Sequence, residues 1–364
     1  MKLTCNRKLL TNAILGVSKA VPTRSTIPVL EGILFHSEGF TLTLTGYDLE
    51  MAIITEISAN ILEPGNIVLN AKLISDMIRR MNSEEVEITV NEKGVATIKG
   101  GITEYNINSL SAEEYPELPK QESEFTFALN NQHFKNLVEN TIYAVSQDEK
   151  KPAHTGELFE ITKNKLTVVA LDGYRMAIME QEIACEQEMN FIIPAKTLSE
   201  TIKLLKDETE EIQISTNQRF IVFSTKEFTV ISRLIEGEFL DYKRVLTQQT
   251  DATTVIVNVR DFIDAIERAS LIITERLKSP VCIQFDDTIT VRCQTTLGNV
   301  VDEISAKKSG QSVEVGFNHR YLLDSLRNTH CEFVKIHISG PLAPVQISPC
   351  ESSEFLFLIL PTRL

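Results

Sequence analysis

The sequence lacks the long apolar segments of a membrane protein and the paired cysteines of a disulfide framework. No window approaches the roughly 18 uncharged apolar residues that a membrane-spanning helix needs, and residues 1–6 hold no apolar stretch of signal-peptide length. The six cysteines are scattered, and none belongs to a Cys-x-x-Cys pair. This cysteine usage is typical of a reducing interior, so we expect a cytoplasmic protein without a membrane partner.

Short motifs of the common enzyme classes are also missing. The chain contains no Gly-x-Gly-x-x-Gly, no Gly-x₄-Gly-Lys-Ser/Thr, no His-Glu-x-x-His and no Gly-x-Ser-x-Gly. Asp172 lies near Arg175, but no nucleophile or base accompanies them, and a turn is the better interpretation. His330, Cys331 and His337 lack a fourth ligand at zinc spacing. We therefore expect no enzyme activity, no cofactor and no metal.

The sequence has fewer basic than acidic residues. The 364 residues include 36 Lys and Arg against 50 Asp and Glu, which gives a formal net charge of −14 at pH 7. This balance argues against a protein that wraps nucleic acid with its whole surface, although it allows one that confines its basic residues to one face. The distribution of the charge therefore carries more information than its sum.

One helix is written three times, in residues 70–81, 194–206 and 318–328. Each copy has a base, an acid four residues later and a second base three residues after that: Lys72, Asp76 and Arg79; Lys196, Glu200 and Lys203; Arg320, Asp324 and Arg327. Helical geometry places the two bases of a copy about 20° apart, away from the apolar positions. The pattern predicts a basic face on each of these helices.

For any one helix, an ordinary solvated surface is the alternative interpretation of such a basic face. Its threefold repetition inside an acidic protein instead favours a surface that faces a nucleic-acid duplex. The acid in each copy dilutes the positive charge, so we expect the contact with phosphate to be weak and independent of base sequence.

A second helix is also repeated, in residues 6–20, 130–146 and 258–276. An asparagine suited to capping opens each copy, and apolar residues follow four and eight positions later, which marks one buried stripe: Asn6, Leu10 and Ile14; Asn130, Phe134 and Val138; Asn258, Phe262 and Ile266. A helix of the first, basic type follows each of these copies in the chain, and the first of them is predicted over 71–81.

Runs of alternating, β-branched residues lie between the helices, for example 41–44, 166–169 and 283–285, and predict half-buried strands. The repeated order of helix, strands, helix and strands predicts an α+β fold. Polar stretches at 116–124 and 246–254 are the expected linkers. The predicted domains are therefore 1–121, 122–247 and 248–364.

Several segments resemble the bacterial DNA sliding clamp family, the β subunit of the replicative DNA polymerase III holoenzyme. The resemblance rests on 171–177 (LDGYRMA), 238–246 (EFLDYKRVL) and 360–364 (LPTRL), with 24–30 and 45–50 in support, and it covers the chain end to end. It implies the DNA clamp fold, with three repeats of a two-helix, antiparallel-sheet unit. It also implies a head-to-tail homodimer that closes a ring around duplex DNA and acts as a processivity factor.

The resemblance further implies which residues meet each partner. The residues facing double-stranded DNA would be Arg24, Lys72, Arg79, Lys196 and Lys203. The dimer interface would join Tyr105 and Ile107 of one chain to Leu271 and Ile272 of the other. A pocket for short peptides of the replicative polymerase, the clamp loader and other clamp-binding proteins would be formed by Leu171, Gly173, Tyr174, Arg175, Met176, Leu240, Arg244, Val245, Asn318, Tyr321, Leu358, Leu360, Pro361 and Thr362.

Four positions depart from the family pattern and bear on the shape of this pocket: His154, Leu240, Pro344 and Thr362. Two alternatives stay open. The apolar pocket residues and the four interface residues could be ordinary core or edge residues. The whole chain could also be a repeat-built interaction scaffold that never encircles DNA, since an acidic exterior with apolar pockets would serve there equally well.

Overall fold

The computed structural model describes residues 1–119, 123–246, 253–274 and 279–363. Across these residues, 24 strands and six α-helices follow the same order three times: a strand, a helix, four strands, a helix and three strands. The threefold unit predicted from the sequence is thereby confirmed. The predicted domain junctions at 121/122 and 247/248 lie outside the described residues.

The elements of each repeat have the following bounds. The first repeat contains β1 (Lys2–Asn6), α1 (Arg7–Val17), β2 (Gly32–Glu38), β3 (Thr41–Tyr47), β4 (Met51–Glu63), β5 (Gly65–Asn70), α2 (Ala71–Arg80), β6 (Glu85–Val90), β7 (Val95–Gly100) and β8 (Thr103–Asn108). The second contains β9 (Phe125–Asn130), α3 (Asn131–Glu139), β10 (Gly156–Thr162), β11 (Lys165–Leu171), β12 (Arg175–Glu182), β13 (Met189–Pro194), α4 (Ala195–Ile202), β14 (Glu211–Thr216), β15 (Phe220–Ser224) and β16 (Phe228–Arg233). The third contains β17 (Thr253–Asn258), α5 (Val259–Ser270), β18 (Val281–Phe285), β19 (Thr288–Thr295), β20 (Gly298–Ser309), β21 (Val313–Phe317), α6 (His319–Arg327), β22 (Phe333–Ile338), β23 (Val345–Pro349) and β24 (Phe355–Ile359).

Asparagine side chains start the helices, as the sequence predicts. The Asn6 side-chain oxygen accepts from the backbone N–H of Lys8 at 2.9 Å, and that of Asn258 accepts from Asp261 at 3.1 Å. These bonds satisfy N–H groups that a helix leaves unpaired in its first turn. Asn130 directly precedes α3, and its capping role stays a prediction. The predicted apolar stripe is buried in all three copies.

Four helices end three or more residues earlier than predicted, among them α1, which ends at Val17 rather than at residue 20. α3 ends at Glu139 rather than at residue 146, and a 3₁₀ turn, Ile142–Ala144, follows it. α4 ends at Ile202 rather than at 206, and α5 ends at Ser270. The apolar spacing that suggested longer helices continues through tight turns, in which the N–H group bonds to a carbonyl three residues back instead of four.

The strands form two antiparallel sheets, each within its own compact unit. One unit comprises Met1–Asn131 with Thr197–Leu234, and its sheet runs β8-β7-β6-β1-β4-β16-β15-β14-β9, with β2, β3 and β5 attached. The other comprises Gln132–Lys196 with Ile235–Leu364, and its sheet runs β13-β10-β11-β12-β24-β23-β22-β17-β20-β19-β18-β21. The second repeat therefore contributes strands to both sheets.

The same strand pairing joins one repeat to the next in both sheets. In the first sheet, β16 pairs antiparallel with the start of β4, and Val230 faces Ile53. In the second, β24 pairs with β12, and Phe357 faces Ala177 at the equivalent position. The last strand of one repeat thus continues the sheet of the repeat before it, and the strand register is the same at both junctions.

Each unit has its own apolar core. Val29, Leu30, Tyr47, Val68 and Tyr115 contribute to one such cluster in the first unit. In the second unit, β11 is buried along its whole length apart from Lys165, so the prediction of a half-buried strand is wrong there. Both faces of β11 are therefore buried, which matches its nearly continuous apolar sequence.

Candidate functional site

The turn between β11 and β12 is built by one carboxylate. The side-chain oxygens of Asp172 accept from the backbone N–H groups of Tyr174 and Arg175, at 2.9 and 3.1 Å, and from the Arg175 Nε at 3.0 Å. Gly173 adopts a left-handed φ of 90°, which suits glycine. This geometry confirms the interpretation of residues 172–175 as a turn, since the Asp172 carboxylate is used structurally.

Arg175 is held in place from several sides. Its guanidinium donates to Asp324 at 2.5 Å, lies 4.7 Å from the centre of the Tyr321 ring and 5.4 Å from that of Tyr143. Burial raises the pKa of the Tyr143 hydroxyl, which donates to Ser325. Because the Arg175 side chain is only 12% exposed and is bound to two carboxylates, it acts as a fixed support for this surface.

Exposed apolar groups lie next to this support. The Tyr174 ring stacks on the Tyr321 ring, with centroids 5.8 Å apart, and is 60% exposed. The backbone N–H of Leu360 donates to the Tyr174 carbonyl at 2.8 Å, which brings the end of the chain beside the turn. Leu360 and Leu240 are also exposed. These side chains are available to contact a partner.

Other predicted pocket residues lie deeper. Leu171, Met176 and Leu358 are buried in one apolar cluster, and Val245 packs against it half-buried. The prediction of an apolar floor is consistent with this position, but Leu171, Met176 and Leu358 are part of the core. The Arg244 side chain is exposed and pairs with Asp241 at 2.8 Å.

The remaining pocket positions have mainly structural contacts. Asn318 caps α6, accepting from the Arg320 N–H at 3.0 Å, and the Thr362 N–H donates to Gly316. Pro361 is half-buried between exposed neighbours. His154 packs edge-on against Phe239, and burial together with Lys151 lowers its pKa. The structure thus brings the predicted set together within one unit.

The repeated basic helices differ between copies. On α2, Arg79 pairs with Asp76 at 2.6 Å, and on α4, Lys203 pairs with Glu200 at 2.7 Å. In α6, by contrast, the acid Asp324 binds Arg175, and the base Arg327 binds Glu267 at 2.6 Å. The second base is exposed and ion-paired in all three copies, and the third copy differs in that its acid and its second base bind residues outside the helix.

The predicted DNA-facing side chains Arg24, Lys72, Arg79, Lys196 and Lys203 are all exposed. One further amine was missed by sequence reasoning. Burial lowers the pKa of Lys19, Glu200 acts in the opposite sense, and the nearby Lys203 and Lys206 lower it further. Three amines are therefore close together here, and the only sequence signal was the positive charge of the predicted helix at 6–20.

Two strand edges carry open pairing positions. Within the described ranges, β8 pairs only with β7, and the first half of β20 pairs only with β19. Tyr105 and Ile107 are half-buried on β8, whereas Val301 on β20 and Leu271 at the end of α5 are exposed. Unpaired strand edges with apolar neighbours are ready templates for another strand.

Comparison with protein families gives three matches that together span most of the chain. Family models of the DNA polymerase III beta subunit match in chain order: the N-terminal domain at residues 1–119, the central domain at 128–241 and the C-terminal domain at 243–363. The chain belongs to the DNA polymerase III beta subunit family. Its threefold clamp fold agrees with this membership, and the family is one of non-enzymatic processivity factors.

Individual beta subunits are similar over their full length. The Beta sliding clamp of Bacillus subtilis (strain 168) is 30% identical over 377 residues, which cover 100% of both chains. The crystal structure of the Bacillus subtilis DNA polymerase sliding clamp has a TM-score of 0.97 at 30% identity, over 100% of this chain and 99% of that one. That of the Pseudomonas aeruginosa DNA polymerase III subunit beta has a TM-score of 0.95 at 26% identity and covers both chains fully.

The described residues contain neither a membrane-spanning helix nor a cluster of metal-binding side chains. Among the described residues of this beta subunit family member, no helix is long and apolar enough to cross a membrane. In the same part of the chain, no group of three His, Cys, Asp or Glu side chains is placed to hold a metal ion. His337, considered above for zinc, instead forms a hydrogen bond with the Thr254 hydroxyl.

Proposed function

We propose that this chain is a processivity factor: two copies close a ring around duplex DNA and tether the replicative polymerase and other partners through a peptide pocket. The observation that carries the proposal is the repeated sheet junction. Two junctions, β4–β16 and β12–β24, are made within the chain, while the equivalent edges β8 and β20 are left open. A second copy supplies the missing strand for each.

The internal repeat gives the register of this intermolecular junction. Tyr105 faces Ile98 in the β7–β8 hairpin, and Val230 faces Phe223 in the β15–β16 hairpin, so Tyr105 corresponds to Val230. On the other strand, Val300 faces Cys293 in the β19–β20 hairpin, and Ile53 faces Gly46 in the β3–β4 hairpin, so Val300 corresponds to Ile53. Because Val230 faces Ile53 within the chain, Tyr105 of one copy would face Val300 of the other.

The four predicted interface residues fit this arrangement. Tyr105 and Ile107 lie on the β8 edge, and Leu271 and Ile272 follow α5, which packs against β20. Leu271 is 81% exposed in the single chain and would be covered by the second copy. The contact is head to tail, and in a ring of two copies each β8 edge would pair with the β20 edge of the other copy.

The basic helix faces are proposed to line the hole. Arg24, Lys72, Arg79, Lys196 and Lys203 would face phosphate, and we add Lys19 to this set. Pairing of Arg79 and Lys203 with neighbouring acids weakens each phosphate contact, so binding is independent of base sequence and allows sliding. The net charge of −14 keeps the outer surface unattractive to DNA.

The peptide pocket is proposed at the fourteen residues predicted from the family. An extended peptide of the polymerase or the clamp loader would place apolar side chains against Tyr174, Leu240 and Leu360, over the cluster that contains Met176.

We also propose the domain limits 1–121, 122–247 and 248–364, and a location in the cytoplasm, where chromosomal DNA and the polymerase are found.

Retention on DNA tests the ring. The chain, placed on nicked circular DNA by its loader, should stay bound through gel filtration and should leave once the circle is cut to a linear form. Its mass before loading should be near twice 40.9 kDa. Equal retention on both forms, or a monomer at micromolar concentration, would favour the interaction scaffold that does not encircle DNA.

Cysteine cross-linking tests the register. Asn106 and Asn299 are exposed and would face each other across the junction, one residue along from Tyr105 and Val300. The double variant Asn106→Cys/Asn299→Cys should form a covalent dimer on mild oxidation or with a short dithiol linker. Asn106→Cys/Val301→Cys, two residues out of register, is the matched control, and equal yields for both pairs would refute the register.

Alanine variants test the pocket. Tyr174→Ala with Leu360→Ala removes exposed apolar surface, so a polymerase-derived peptide should bind at least tenfold more weakly while the dimer stays intact. Leu342→Ala, another exposed leucine of the same unit, is the control. Truncating the buried Met176 would test folding as much as binding. Unchanged affinity of the Tyr174/Leu360 variant would refute the assignment.

A further inference from the structure

The segment 236–246 carries three residues of the proposed peptide pocket, Leu240, Arg244 and Val245. It contains one 3₁₀ turn, Tyr242–Arg244. Between described residues, the backbone hydrogen bonds of this segment stay within it, and each joins an N–H group to the carbonyl three residues back. Backbone pairing with the sheet therefore does not fix the direction in which the turn points.

One carboxylate on β10 ties this segment to the sheet. The Glu160 Oε2 accepts from the Tyr242 hydroxyl at 2.6 Å, and the Glu160 Oε1 accepts from the Lys243 Nζ at 2.8 Å. The two donors are consecutive residues of the 3₁₀ turn. Hydrogen bonds to a charged group are directional and stronger than neutral ones, so this pair of bonds fixes how the turn lies on the strand.

The Glu160 carboxylate is held in its charged form. Burial raises the pKa of this carboxyl, but the hydrogen bonds from Lys243 and Tyr242 and the charges of Lys243 and Lys165 outweigh burial, so the pKa is lowered. Burial, followed by Glu160 itself, raises the pKa of the Tyr242 hydroxyl, so the phenol keeps the proton that it donates.

Apolar contacts complete the attachment of the segment. The Tyr242 ring is buried in the cluster that contains Met176. Contacts of this kind are not directional, so they hold the segment down without setting its orientation. Leu240 is 46% exposed, and the Arg244 side chain is 86% exposed and pairs with Asp241 of the same segment. The direction of the Leu240 and Arg244 side chains therefore follows the direction of the turn.

We propose that Glu160 is a positioning residue of the peptide pocket: it holds Tyr242 and Lys243 so that the turn presents Leu240 and Arg244 to the peptide in one orientation. Glu160 itself does not touch the peptide. The inference rests on the proposed pocket and adds a residue of β10 on which its affinity depends. Without the Glu160 carboxylate, the turn would adopt several orientations, and the peptide would have to select one of them at a cost in affinity.

Peptide binding to the full-length chain tests this role. The probe is a fluorescent version of the pocket-binding segment of the replicative polymerase, and fluorescence anisotropy gives its affinity. Glu160→Gln keeps the shape but removes the charge, so the peptide should bind about two- to fivefold more weakly. Tyr242→Phe removes only the hydroxyl and keeps the ring in the cluster, and it should also weaken binding. Glu180→Gln is the matched control and should bind like the parent, because the Glu180 carboxylate pairs with Lys165, at 2.6 Å, instead of with the turn.

A double-mutant background separates positioning from general stability. In Leu240→Ala/Arg244→Ala, the side chains that Glu160 positions are absent, so adding Glu160→Gln should weaken binding little further. An equal fold loss with and without these side chains would make Glu160 a general stabilising residue and overturn the proposal, as would parent-like affinity of both Glu160→Gln and Tyr242→Phe. Failure of the parent itself to bind the peptide would remove the pocket and this role together.

Discussion

The guanidinium of Arg175 donates to the carboxylate of Asp324 at 2.5 Å and so ties the turn between β11 and β12 to helix α6. The two residues are 149 positions apart in the chain. Asp172 binds the same guanidinium from within the turn, and the Tyr321 ring packs against it. The surface around Tyr174, where the peptide pocket is proposed, is therefore supported by a contact between the turn and α6.

Asp324→Asn should loosen that surface. The amide keeps the shape but weakens the charge-assisted hydrogen bond, and partial solvent exposure of Asp324 limits the loss of stability to about 1 kcal/mol. Affinity for a polymerase-derived peptide should fall about two- to fivefold, measured by fluorescence anisotropy. Asp76→Asn, the same position of the first repeat, should leave peptide binding unchanged. If both variants bind the peptide like the parent, Arg175 needs no support from Asp324.

Lys72→Gln with Lys203→Gln should weaken contact with DNA. Both side chains are exposed on the basic faces, so the double variant should reduce the slope of log affinity against log salt by up to about two, measured on a short duplex. Arg327→Gln is the control, because it removes one exposed base of α6 that is outside the proposed DNA-facing set. A salt slope that is the same for the double variant and the control would contradict the assignment of these faces to DNA.

Glu157 predicts a pH dependence of stability. The side chain is fully buried on β10, and no described group forms a hydrogen bond with either carboxyl oxygen. Burial raises its pKa well above the usual value; the nearby Thr141 hydroxyl offsets this only in part, since it donates to the Leu137 carbonyl at 2.7 Å. The folded state therefore holds a proton that the unfolded state releases.

The sign follows from this difference. The stabilising effect of the proton is complete below the ordinary carboxyl pKa, and it is lost as the pH rises toward the folded-state pKa, by roughly tenfold in the folding equilibrium per pH unit. Glu157→Gln removes the ionisation, so the stability of the variant relative to the parent should rise as the pH increases above the ordinary carboxyl pKa and should level off above the folded-state pKa. Thermal unfolding of both proteins across this pH range measures the difference. A difference in stability that does not change with pH would show that ionisation of Glu157 does not lower the free energy of unfolding.

Gly16→Ala should destabilise the first unit. Alanine ordinarily favours a helix over glycine by about 0.5–1 kcal/mol. Here the added methyl would lie 2.2 Å from the Phe228 ring, which is buried, so overpacking should cost about 1–3 kcal/mol in urea unfolding. Gly16→Ala with Phe228→Leu should recover part of the loss. Stabilisation by Gly16→Ala alone would mean that the ring moves freely.

The sequence was most informative where the physics is local or periodic. The Asn6 cap, the buried stripe through Leu10 and Ile14, and the basic face around Lys72 all follow from spacing along one helix. Helix ends were less predictable, because 3₁₀ turns such as Ile142–Ala144 continue the apolar pattern with different hydrogen bonds.

Long-range contacts could not be predicted from one sequence. Nothing in the spacing of Arg175 and Asp324 indicates that they meet, and the proximity of Lys19 to Lys203 depends on packing between distant segments. The family resemblance implied that Met176 and Leu358 are pocket residues, but only the structure shows that both are buried.

The β4–β16 and β12–β24 junctions connect parts of a single molecule, whereas the β8–β20 junction would connect two. Strands tethered by the same chain meet at a high effective concentration, which does not change when the protein is diluted. The β8–β20 contact has no such advantage, so chain connectivity rather than a difference in strand chemistry selects where the ring opens. A loader would need to overcome one untethered strand pairing to admit DNA, and dilution would separate the copies at these two edges while leaving both sheets within each chain complete.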